Sequence, residues 1–222
     1  IGSSHLETLG SRENICRAEL EVLCGLKKGG TLILNADEPL LNGISGKSYH
    51  TVYISQSCEK ADFYAKNIKV EADCTRFDII HDDLTYRDLC VRVPGKHNVN
   101  SALFAVAIGV IAGLSEEQIR SGLYNYTTAG MRQKISSMGD ITVIEDCYNA
   151  SPESMRAGLN VLCHTAKVKA RRPVAVLGDM KELGTYAPRL HKRVGRFLGV
   201  GTCLAVLDSE LLCLCGGNAE CF

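Results

Sequence analysis

Polar residues follow three predicted strands of this sequence, and their side chains are of the types that hold nucleotides or cations. Asp146–Asn149 and Gly178–Met180 follow strands in the second half of the chain, and Asn35–Pro39 follows one in the first. Because ligands of an open parallel sheet bind beyond the carboxyl ends of its strands, an acidic side chain there is a candidate for holding ribose hydroxyls or a cation. Asp and Asn also cap helices and form Asx turns, so position alone leaves the structural interpretation open.

Isolated basic residues give a weaker signal. His5 and His97 each stand alone in the sequence, and a lone histidine is by default a structural residue. Arg132 carries the planar guanidinium that binds phosphate at two points, although a surface position is the commoner use of arginine. These residues become candidates only when they are considered together with the acidic stretches.

The composition excludes several classes of protein. The 25 basic and 25 acidic residues balance, which removes the electrostatic argument for binding nucleic acid or an anionic membrane. The eleven cysteines are odd in number and include no C-x-x-C pair, so we expect free thiols in a reducing cytosol. The longest apolar run, Ala102–Leu114, falls short of the roughly 18 residues of a membrane span and predicts a buried helix.

The first part of the chain predicts a helix, a strand and then a sheet of local connections. A helix over Ser11–Leu26 ends before Gly29, and the strand Thr31–Leu34 follows. Alternating patterns then predict four strands, Thr51–Ser55, Phe63–Val70, Phe77–Ile80 and Leu89–Val93. The Gly95–Asn98 turn precedes the buried helix.

The second part predicts strands that alternate with helices. Ser115 and Gln118 form a capping box for the helix that follows the buried one. The later elements are the strand Ile141–Glu145, a helix from Pro152, the strand Val174–Leu177, the helix Tyr186–Leu198 and the strand Cys203–Leu207. Such alternation predicts a parallel, doubly wound sheet. We therefore predict an α/β fold with a domain boundary near Ala129, giving domains over 1–129 and 130–222.

In their order and spacing, these motifs resemble one family, the Mur ligases, and within it the branch that adds D-alanyl-D-alanine. Ile1–Glu7 with Leu9–Ile15 is similar to the family passage "N-I-G-x-S-H-x-E…L-G-S-R-E-N-I". Five further runs resemble family motifs, namely Asn35–Pro39, Gly95–Asn98, Gly130–Gln133, Asp146–Pro152 and Leu177–Gly184. The resemblance covers nearly the whole chain and is weak only from about Gly43 to Ala61 and near the carboxyl end.

The resemblance implies a fold and a reaction. The fold would be the later part of a central ATPase domain followed by the start of a Rossmann-like carboxyl-terminal domain. The reaction would be that of a cytoplasmic enzyme of peptidoglycan precursor synthesis, which uses ATP and Mg²⁺ to phosphorylate the terminal carboxylate of a UDP-N-acetylmuramoyl peptide. The amine of D-alanyl-D-alanine would then attack the acyl phosphate and form an amide. A carboxylate is a poor electrophile at neutral pH, so phosphorylation supplies the leaving group.

The resemblance also implies roles for individual residues. His5 would be a magnesium ligand, an unusual role for imidazole beside a hard cation. Arg132 and Asp146 would hold the phosphate and ribose ends of ATP. The other residues implied near the nucleotide are Lys96, His97, Asn98, Tyr148 and Asn149. Asp179 and Glu182 are candidate contacts for the incoming peptide or dipeptide, with helix capping as the alternative for both.

Two positions inside the chain depart from the family pattern. Glu19 stands where the family has a carbamylated lysine that binds the second magnesium, and its carboxylate has the right sign on a shorter side chain. Ser101 stands where the family has an asparagine near the adenine, and a hydroxyl cannot offer both the donor and the acceptor of an amide on one edge. We therefore expect Glu19 as the candidate second metal ligand, and adenine contacts that involve Ser101, Asn98 or Asn100.

The sequence contains no G-x-x-x-x-G-K-[ST] loop, whose backbone and lysine cradle phosphates. In the family's order this loop and the UDP-binding domain precede the position of Ile1. We therefore expect the chain to be an internal part of a longer ligase, and we expect that it does not turn over ATP by itself. The sequence does not determine the oligomeric state, for which a monomer is the default expectation.

Two alternatives stay open. The amine donor could differ, as in another Mur ligase or a relative of the folylpolyglutamate or cyanophycin synthetases. Glu19 and Ser101 also fit a non-catalytic protein that keeps the ligase fold for binding. The runs Asp146–Pro152 and Leu177–Gly184 favour the D-alanyl-D-alanine branch, and assays of the full-length protein separate these hypotheses.

Overall fold

The computed structural model describes residues 1–197 and the backbone of 203–206. The chain divides into two compact units, one formed by Ile1 and Cys16–Thr127 and the other by Gly2–Ile15 with the residues from Thr128 onward. Each unit combines helices and strands around its own buried core, which confirms the predicted α/β class. The domain boundary near Ala129 stays a prediction. Within the described ranges, every helix is too short or too polar to cross a membrane.

Three short helices open the chain, and the single helix predicted over Ser11–Leu26 is wrong beyond Glu19. The helices are α1 (Leu6–Leu9), which the sequence did not predict, α2 (Arg12–Glu19) and α3 (Val22–Gly25). Between α2 and α3 the Glu21 N–H donates to the Ala18 carbonyl, three residues back instead of four. This tightening of the last turn ends α2. Val22, which a continuous helix would place on the same face as the buried Ile15, is instead 59% exposed.

A five-stranded sheet with its strands in sequence order forms the first unit. The strands are β1 (Thr31–Asn35), β2 (His50–Ser55), β3 (Phe63–Val70), β4 (Thr75–His81) and β5 (Leu84–Val91). Strands β1, β2 and β3 are parallel, whereas β3, β4 and β5 are antiparallel. All five strands were predicted, but β5 begins at Leu84 instead of Leu89, because a tight turn pairs Leu84 directly with His81.

Two helices accompany this sheet. Helix α4 (Asn98–Ile111) is the predicted buried helix, and its Val99, Leu103 and Val106 are fully buried in the core with sheet residues. Burial of each such side chain is worth about 1.5–3 kcal/mol. The capping box at the start of α5 (Glu116–Tyr124) is present, because Ser115 and Gln118 each accept the other's backbone N–H.

Asp78, in the middle of β4, accepts a hydrogen bond from an irregular position in each of the two neighbouring strands. Its Oδ2 accepts a hydrogen bond from Asn67 Nδ2 in β3 at 2.7 Å, and its Oδ1 accepts the Asp88 N–H of β5 at 2.8 Å. Asn67 and Asp88 have φ values of 54° and 50° and lie where the strand register shifts. A bulge disrupts the ladder, and the carboxylate supplies the missing acceptor for Asp88. These bonds, with the Asp88 N–H as the largest cause, lower the pKa of Asp78.

The seven cysteines whose side chains the structure describes are free thiols. Cys16, Cys74 and Cys90 are buried, where a thiol packs as a small hydrophobe. Burial, followed by a hydrogen bond to Glu71, raises the pKa of Cys74 to about 12. At neutral pH this thiol therefore keeps its proton, which it donates to the Glu71 carboxylate at 3.2 Å.

The second unit contains the alternating strands and helices that the sequence predicts. Its elements are β6 (Lys134–Met138), β7 (Ile141–Glu145), α6 (Pro152–Val168), β8 (Val174–Leu177), α7 (Ala187–Phe197) and β9 (Cys203–Val206). Leu159, Val194 and Leu183 belong to its core. The predicted Leu198 and Leu207, at the ends of α7 and β9, lie outside the described residues.

The pairing of these strands differs in part from the predicted parallel sheet. Strands β8 and β9 are parallel, as expected. Strand β7 instead forms an antiparallel hairpin with β6, which the sequence did not predict. The residues of β6, Lys134–Met138, are mostly polar and half or fully exposed, so they lack the apolar alternation that marks a half-buried strand.

Replacing Asp78 by asparagine is expected to lower the free energy of unfolding by about 1–2 kcal/mol, because the bulged strands lose a charged acceptor. Since the folded-state pKa of Asp78 lies below its unfolded value, the carboxylate's contribution is present above about pH 4 and is lost as the pH falls through the folded pKa. Urea unfolding at pH 7 and at about pH 2 measures both effects.

Asp83→Asn, at an exposed turn position, is the matched control and should change the unfolding free energy by less than about 0.5 kcal/mol. The assigned role of Asp78 is contradicted if the two variants lose equal stability. It is also contradicted if the Asp78→Asn deficit stays the same at both pH values.

Candidate functional site

The Gly95–Asn98 turn, at the start of α4, is anchored to the sheet through a buried hydroxyl. Thr75 Oγ1 accepts the Gly95 N–H at 2.9 Å and donates to the Val93 carbonyl at 2.9 Å. Thr75 is wholly buried, so water does not compete for these bonds. Gly95 has a φ of 130°, which a residue with a Cβ adopts at a cost. The turn is therefore fixed from the side of the sheet.

The residues predicted to lie near ATP in the first unit share this turn and the helix after it. Lys96 and His97 are exposed, and Asn98 is half-buried. Asn98 Nδ2 donates to the Pro94 carbonyl at 3.2 Å, so the amide nitrogen of this side chain stabilises the turn itself. Ser101 is exposed on α4, one turn further along. Glu19, the last residue of α2, is also exposed.

Polar side chains meet at the carboxyl ends of β1 and β2. The Asp37 carboxylate accepts the Ser55 hydroxyl at 2.5 Å and the Gln56 N–H at 2.8 Å. Gln56 Nε2 donates to Asn100 Oδ1 on α4 at 2.6 Å, while Gln56 Oε1 is buried without a hydrogen-bond partner among the described residues. Sequence reasoning singled out Asn35–Pro39 but missed Gln56, because Gln56 lies in the stretch where the family resemblance is weak.

In the second unit, His5 and Glu182 are partners. His5 Nδ1 lies 2.5 Å from Glu182 Oε2, with side-chain exposures of 59% and 57%. A backbone bond from the Glu7 N–H to the Glu182 carbonyl, at 2.9 Å, reinforces the contact. His5 and Glu182 have φ values of 64° and 61°, unusual for residues with a Cβ. The structure thus joins a predicted metal ligand with a predicted substrate contact.

The segment that carries His5 has two further anchors within the same unit. Ser3 is buried, and its hydroxyl donates to Glu153 Oε1 at 2.7 Å. Glu153 lies in the first turn of α6. The Tyr186 hydroxyl donates to the Gly10 carbonyl at 3.4 Å. These contacts fix the segment on both sides of His5.

Three of the residues predicted to hold ATP in the second unit lie on two adjoining loops. The Arg132 guanidinium lies 4.2 Å from the centre of the Tyr148 ring, an attractive cation–π geometry. The Tyr148 N–H donates to the Met131 carbonyl. Asp146 Oδ1 accepts the Gln133 N–H at 3.1 Å. Arg132, Asp146 and Tyr148 are all exposed, so their polar groups can reach a ligand.

Asn149 has a local structural partner, since its Oδ1 accepts the Ala150 N–H at 2.8 Å. This bond belongs to the turn that precedes α6. A glycine of α6 is also close to the predicted ribose contact. A Cβ added at Gly158 would lie 3.4 Å from Asp146 Oδ2. Sequence reasoning did not single out Gly158, because the closeness arises only in the folded chain.

Asp179 lies beside a buried histidine that orders its turn. His191 is 2% exposed, and its Nε2 accepts the Met180 N–H at 3.1 Å while its Nδ1–H donates to the Ala187 carbonyl at 2.8 Å. Because both nitrogens are used in this way, the imidazole is neutral with its proton on Nδ1. Asp179 Oδ1 lies 3.5 Å from Nε2 and has no hydrogen-bond partner among the described residues.

A cavity of about 530 Å³ lies between β7, α6 and β8. Its volume is in the range of small-molecule sites. Leu159, Leu162 and Val176 contribute to its wall, and Asp146 is the one predicted site residue among those that line it. The cavity therefore reaches the Asp146 loop, and none of the other predicted nucleotide contacts is among the residues that line it.

The run Gly43–Ser48 spells a shorter phosphate-loop pattern, G-x-x-G-K-S. A phosphate loop joins a strand to a helix whose first N–H groups face the phosphate. Here the run leads into strand β2 instead. A Cβ added at Gly46 would overlap the ring of Tyr49, so this glycine makes room for an aromatic side chain. The run is therefore not a phosphate loop.

Polar loops at strand ends of α/β units are the usual arrangement of nucleotide-binding proteins. The comparison with known families is more specific. Residues 1–109 match the Mur ligase middle domain, and residues 131–210 match the Mur ligase, glutamate ligase domain. The chain belongs to the Mur ligase family.

Relatives and solved structures agree with this assignment. The UDP-N-acetylmuramoyl-tripeptide–D-alanyl-D-alanine ligase of Bacillus subtilis is 36% identical over 200 residues, which is 88% of this chain and 41% of that protein. The ligase of the same name from Escherichia coli is 33% identical and is covered over 43% of its length. The chain thus spans less than half the length of these curated relatives.

Among solved structures, MurF from Acinetobacter baumannii is 28% identical with a TM-score of 0.81, over 94% of this chain and 45% of that one. MurF ligase from Thermotoga maritima, solved in complex with ADP, has a TM-score of 0.78 at 22% identity, over 96% of this chain and 48% of that one. At this identity the second likeness concerns the fold alone.

Replacing Thr75 by valine is expected to lower the unfolding free energy by about 1–3 kcal/mol, because the change leaves the Gly95 N–H and the Val93 carbonyl buried without their partner. Amide hydrogen exchange at Gly95 should become faster, and urea unfolding measures the loss of stability.

Thr51→Val is the matched control. Thr51 Oγ1 is also buried but has no hydrogen-bond partner among the described residues, so its removal should be neutral or slightly stabilising. Equal destabilisation by the two substitutions would show that the Thr75 hydrogen bonds do not hold the turn.

Proposed function

We propose that the protein containing this chain is an ATP-dependent, ADP-forming ligase of the cytoplasm that joins D-alanyl-D-alanine to a UDP-N-acetylmuramoyl peptide. The main support for this proposal is the 36% identity, over 88% of this chain, to a relative whose name describes this reaction. The match to the Mur ligase middle domain, at residues 1–109, also precedes the match to the glutamate ligase domain, at residues 131–210. We propose that the ligase acts as a monomer.

The proposed reaction has two steps. A carboxylate oxygen of the muramoyl peptide attacks the γ-phosphorus of ATP, and ADP leaves. The amine nitrogen of D-alanyl-D-alanine, having lost a proton, then attacks the carbonyl carbon, and phosphate leaves as the amide forms. Both steps bring negative groups together, so catalysis depends on positioning and on neutralising charge.

The second unit offers groups for both ends of the nucleotide. Arg132 supplies an exposed guanidinium suited to phosphate oxygens, and the Tyr148 ring holds it in place. Asp146 keeps one oxygen on the Gln133 N–H, which leaves the other for ribose hydroxyls. In the first unit, we propose that Lys96, His97 and Asn98 contact the nucleotide from the fixed turn, together with Ser101 on α4.

The proposed Mg²⁺ would neutralise charge between the carboxylate and the phosphates. His5 fits a ligand role in one respect, because a metal-binding histidine commonly uses its other ring nitrogen on a carboxylate. Glu182 occupies His5 Nδ1, so Nε2 is the nitrogen left for a cation. Glu19 stays the candidate for a second ion, with the oxygen ligand that Mg²⁺ prefers.

Asp179 is the better candidate for the ammonium group of the incoming dipeptide. Glu182 already has a cationic or hydrogen-bonding partner in His5. The Asp179 side chain, by contrast, is 36% exposed, and its buried Oδ1 has no hydrogen-bond partner among the described residues. A carboxylate without a partner gains most from a positive ligand.

The proposed activity is tested with the full-length protein by phosphate release from ATP and Mg²⁺ in the presence of a UDP-N-acetylmuramoyl tripeptide. Release is expected to depend on D-alanyl-D-alanine and to be absent with single amino acids such as glutamate. The 222-residue chain alone, which has no phosphate loop, is expected to release none.

The alternatives give different results in the same assay. Turnover with glutamate but not with D-alanyl-D-alanine would identify a ligase with another amine donor. ATP binding by calorimetry without turnover would identify a non-catalytic member of the family. Phosphate release by the isolated chain would contradict the expectation that a separate loop is needed.

In the full-length protein, Asp146→Asn is expected to raise the KM for ATP by about 10- to 100-fold, because the ribose loses a charged acceptor. The amide oxygen can still accept the Gln133 N–H, so the loop should keep its structure. Asp140→Asn, at a 91% exposed carboxylate paired with Arg171, is the control and should leave the KM unchanged. Equal KM values for wild type and Asp146→Asn would remove Asp146 from the proposed site.

A further inference from the structure

The turn after β8 is held by a buried histidine of α7. His191 is 2% exposed, and its Nε2 accepts the Met180 N–H at 3.1 Å. Its Nδ1–H donates at 2.8 Å to the carbonyl of Ala187, the first residue of the same helix. Because each ring nitrogen has its own partner, a rotation of the imidazole would break both hydrogen bonds. The histidine is therefore a fixed link between α7 and the turn.

Met180 is held a second time through its side chain. This side chain is 3% exposed and belongs to the core of the second unit together with Leu183 and Val194. Val194 lies on α7, about one turn after His191. Core packing thus holds the side chain of Met180, and the histidine holds its backbone N–H. Asp179 directly precedes Met180, so the place of its backbone is determined by α7.

The Asp179 carboxylate lies beside the same imidazole without receiving a hydrogen bond from it. Asp179 Oδ1 lies 3.5 Å from His191 Nε2 and has no hydrogen-bond partner among the described residues. Nε2 already accepts the Met180 N–H, so it has no proton to give to the carboxylate. The Asp179 side chain is 36% exposed although Oδ1 is buried, so the exposure comes from the remainder, which includes Oδ2. The imidazole therefore stands beside one oxygen and leaves the charge of the carboxylate to a ligand.

We propose that His191 is a positioning residue of the ligase, which holds the turn so that the Asp179 carboxylate meets the ammonium group of the incoming amine donor. This inference rests on the proposed function, in which that donor is D-alanyl-D-alanine. His191 is buried, so it does not touch the donor and acts through Asp179. A carboxylate that is held in place before the ligand arrives loses little conformational entropy on binding. The histidine therefore raises the affinity for the amine donor.

The proposed nucleotide contacts of the same unit are held by other interactions. The Arg132 guanidinium lies over the Tyr148 ring, and Asp146 accepts the Gln133 N–H. Neither interaction involves His191. Loss of the histidine is therefore expected to change the KM for the amine donor and to leave the KM for ATP unchanged. A residue needed only for folding would change both KM values or the amount of active enzyme.

The test compares three substitutions of His191 in the full-length protein. His191→Gln places an amide oxygen near the position of Nε2, where it can accept the Met180 N–H. His191→Leu offers no acceptor, and His191→Asn keeps a donor near the position of Nδ1 but is too short to reach Met180. The leucine and asparagine variants are expected to raise the KM for D-alanyl-D-alanine by about 10- to 100-fold, whereas the glutamine variant should stay within about threefold of the wild type.

The asparagine variant keeps the test decisive if leucine at this buried position unfolds the protein, and circular dichroism identifies the folded variants. His164→Leu is the matched control. His164 is a half-buried histidine of α6 whose Nε2 has no hydrogen-bond partner among the described residues. Its replacement should leave the KM for D-alanyl-D-alanine and the KM for ATP unchanged.

A double variant shows whether the histidine acts through the carboxylate. Asp179→Asn should itself raise the KM for D-alanyl-D-alanine. Adding His191→Leu to Asp179→Asn should have little further effect, because the two substitutions remove the same contact with the donor. Independent effects would multiply.

Any of four results would overturn the proposal. The KM for D-alanyl-D-alanine could be that of the wild type in the folded leucine and asparagine variants, or the glutamine variant could lose as much as the leucine variant. The KM for ATP could rise by the same factor, or the leucine effect could keep its full size beside Asp179→Asn. A failure of the proposed function differs from these results, because the wild type would then release phosphate only with another amine donor. The same KM comparison would be made with that donor, and absence of turnover with every donor would overturn both.

Discussion

The two hydrogen bonds of the Thr75 hydroxyl are the constraint on which the first unit's candidate site depends. They tie the turn before α4 to the first residue of β4, and α4 in turn is buried along the sheet through Val99, Leu103 and Val106. The position of the turn is therefore set by the core and not by a ligand. Lys96 and His97 can remain exposed on this turn, because the backbone beneath them is already fixed. A preorganised loop loses little conformational entropy when a ligand binds.

The elements that could be predicted from the sequence are those whose signals are local. The strand Phe63–Val70, the strand Ile141–Glu145 and the capping box of Ser115 each depend on residues within a few positions, and all three are confirmed. The break after α2 and the strand β6 could not be predicted in this way. The break follows a tightened backbone turn near Glu21, and β6 exists because β7 offers it a partner. Pairing partners and core contacts are properties of the folded chain.

The candidate site shows the same division. The order of the motifs predicted Arg132, Asp146 and Tyr148 as nucleotide contacts. The structure places Arg132 and Tyr148 in contact with each other. The partnership of His5 with Glu182 joins residues 177 positions apart, and no local pattern indicates such a pair. The roles of all these residues in catalysis stay predictions.

The glycine–lysine–serine run at Gly43–Ser48 illustrates how a nucleotide motif can be imitated by chance. The four specified letters of the shortened pattern G-x-x-G-K-S occur here between two parallel strands, and Gly46 is small because Tyr49 needs the space. A search for the shortened pattern by letters alone would assign this chain a phosphate site, although the complete G-x-x-x-x-G-K-[ST] signature is absent from it. The direction in which the following backbone turns, towards a helix or towards a strand, carries the information that distinguishes a true signature from a coincidental one.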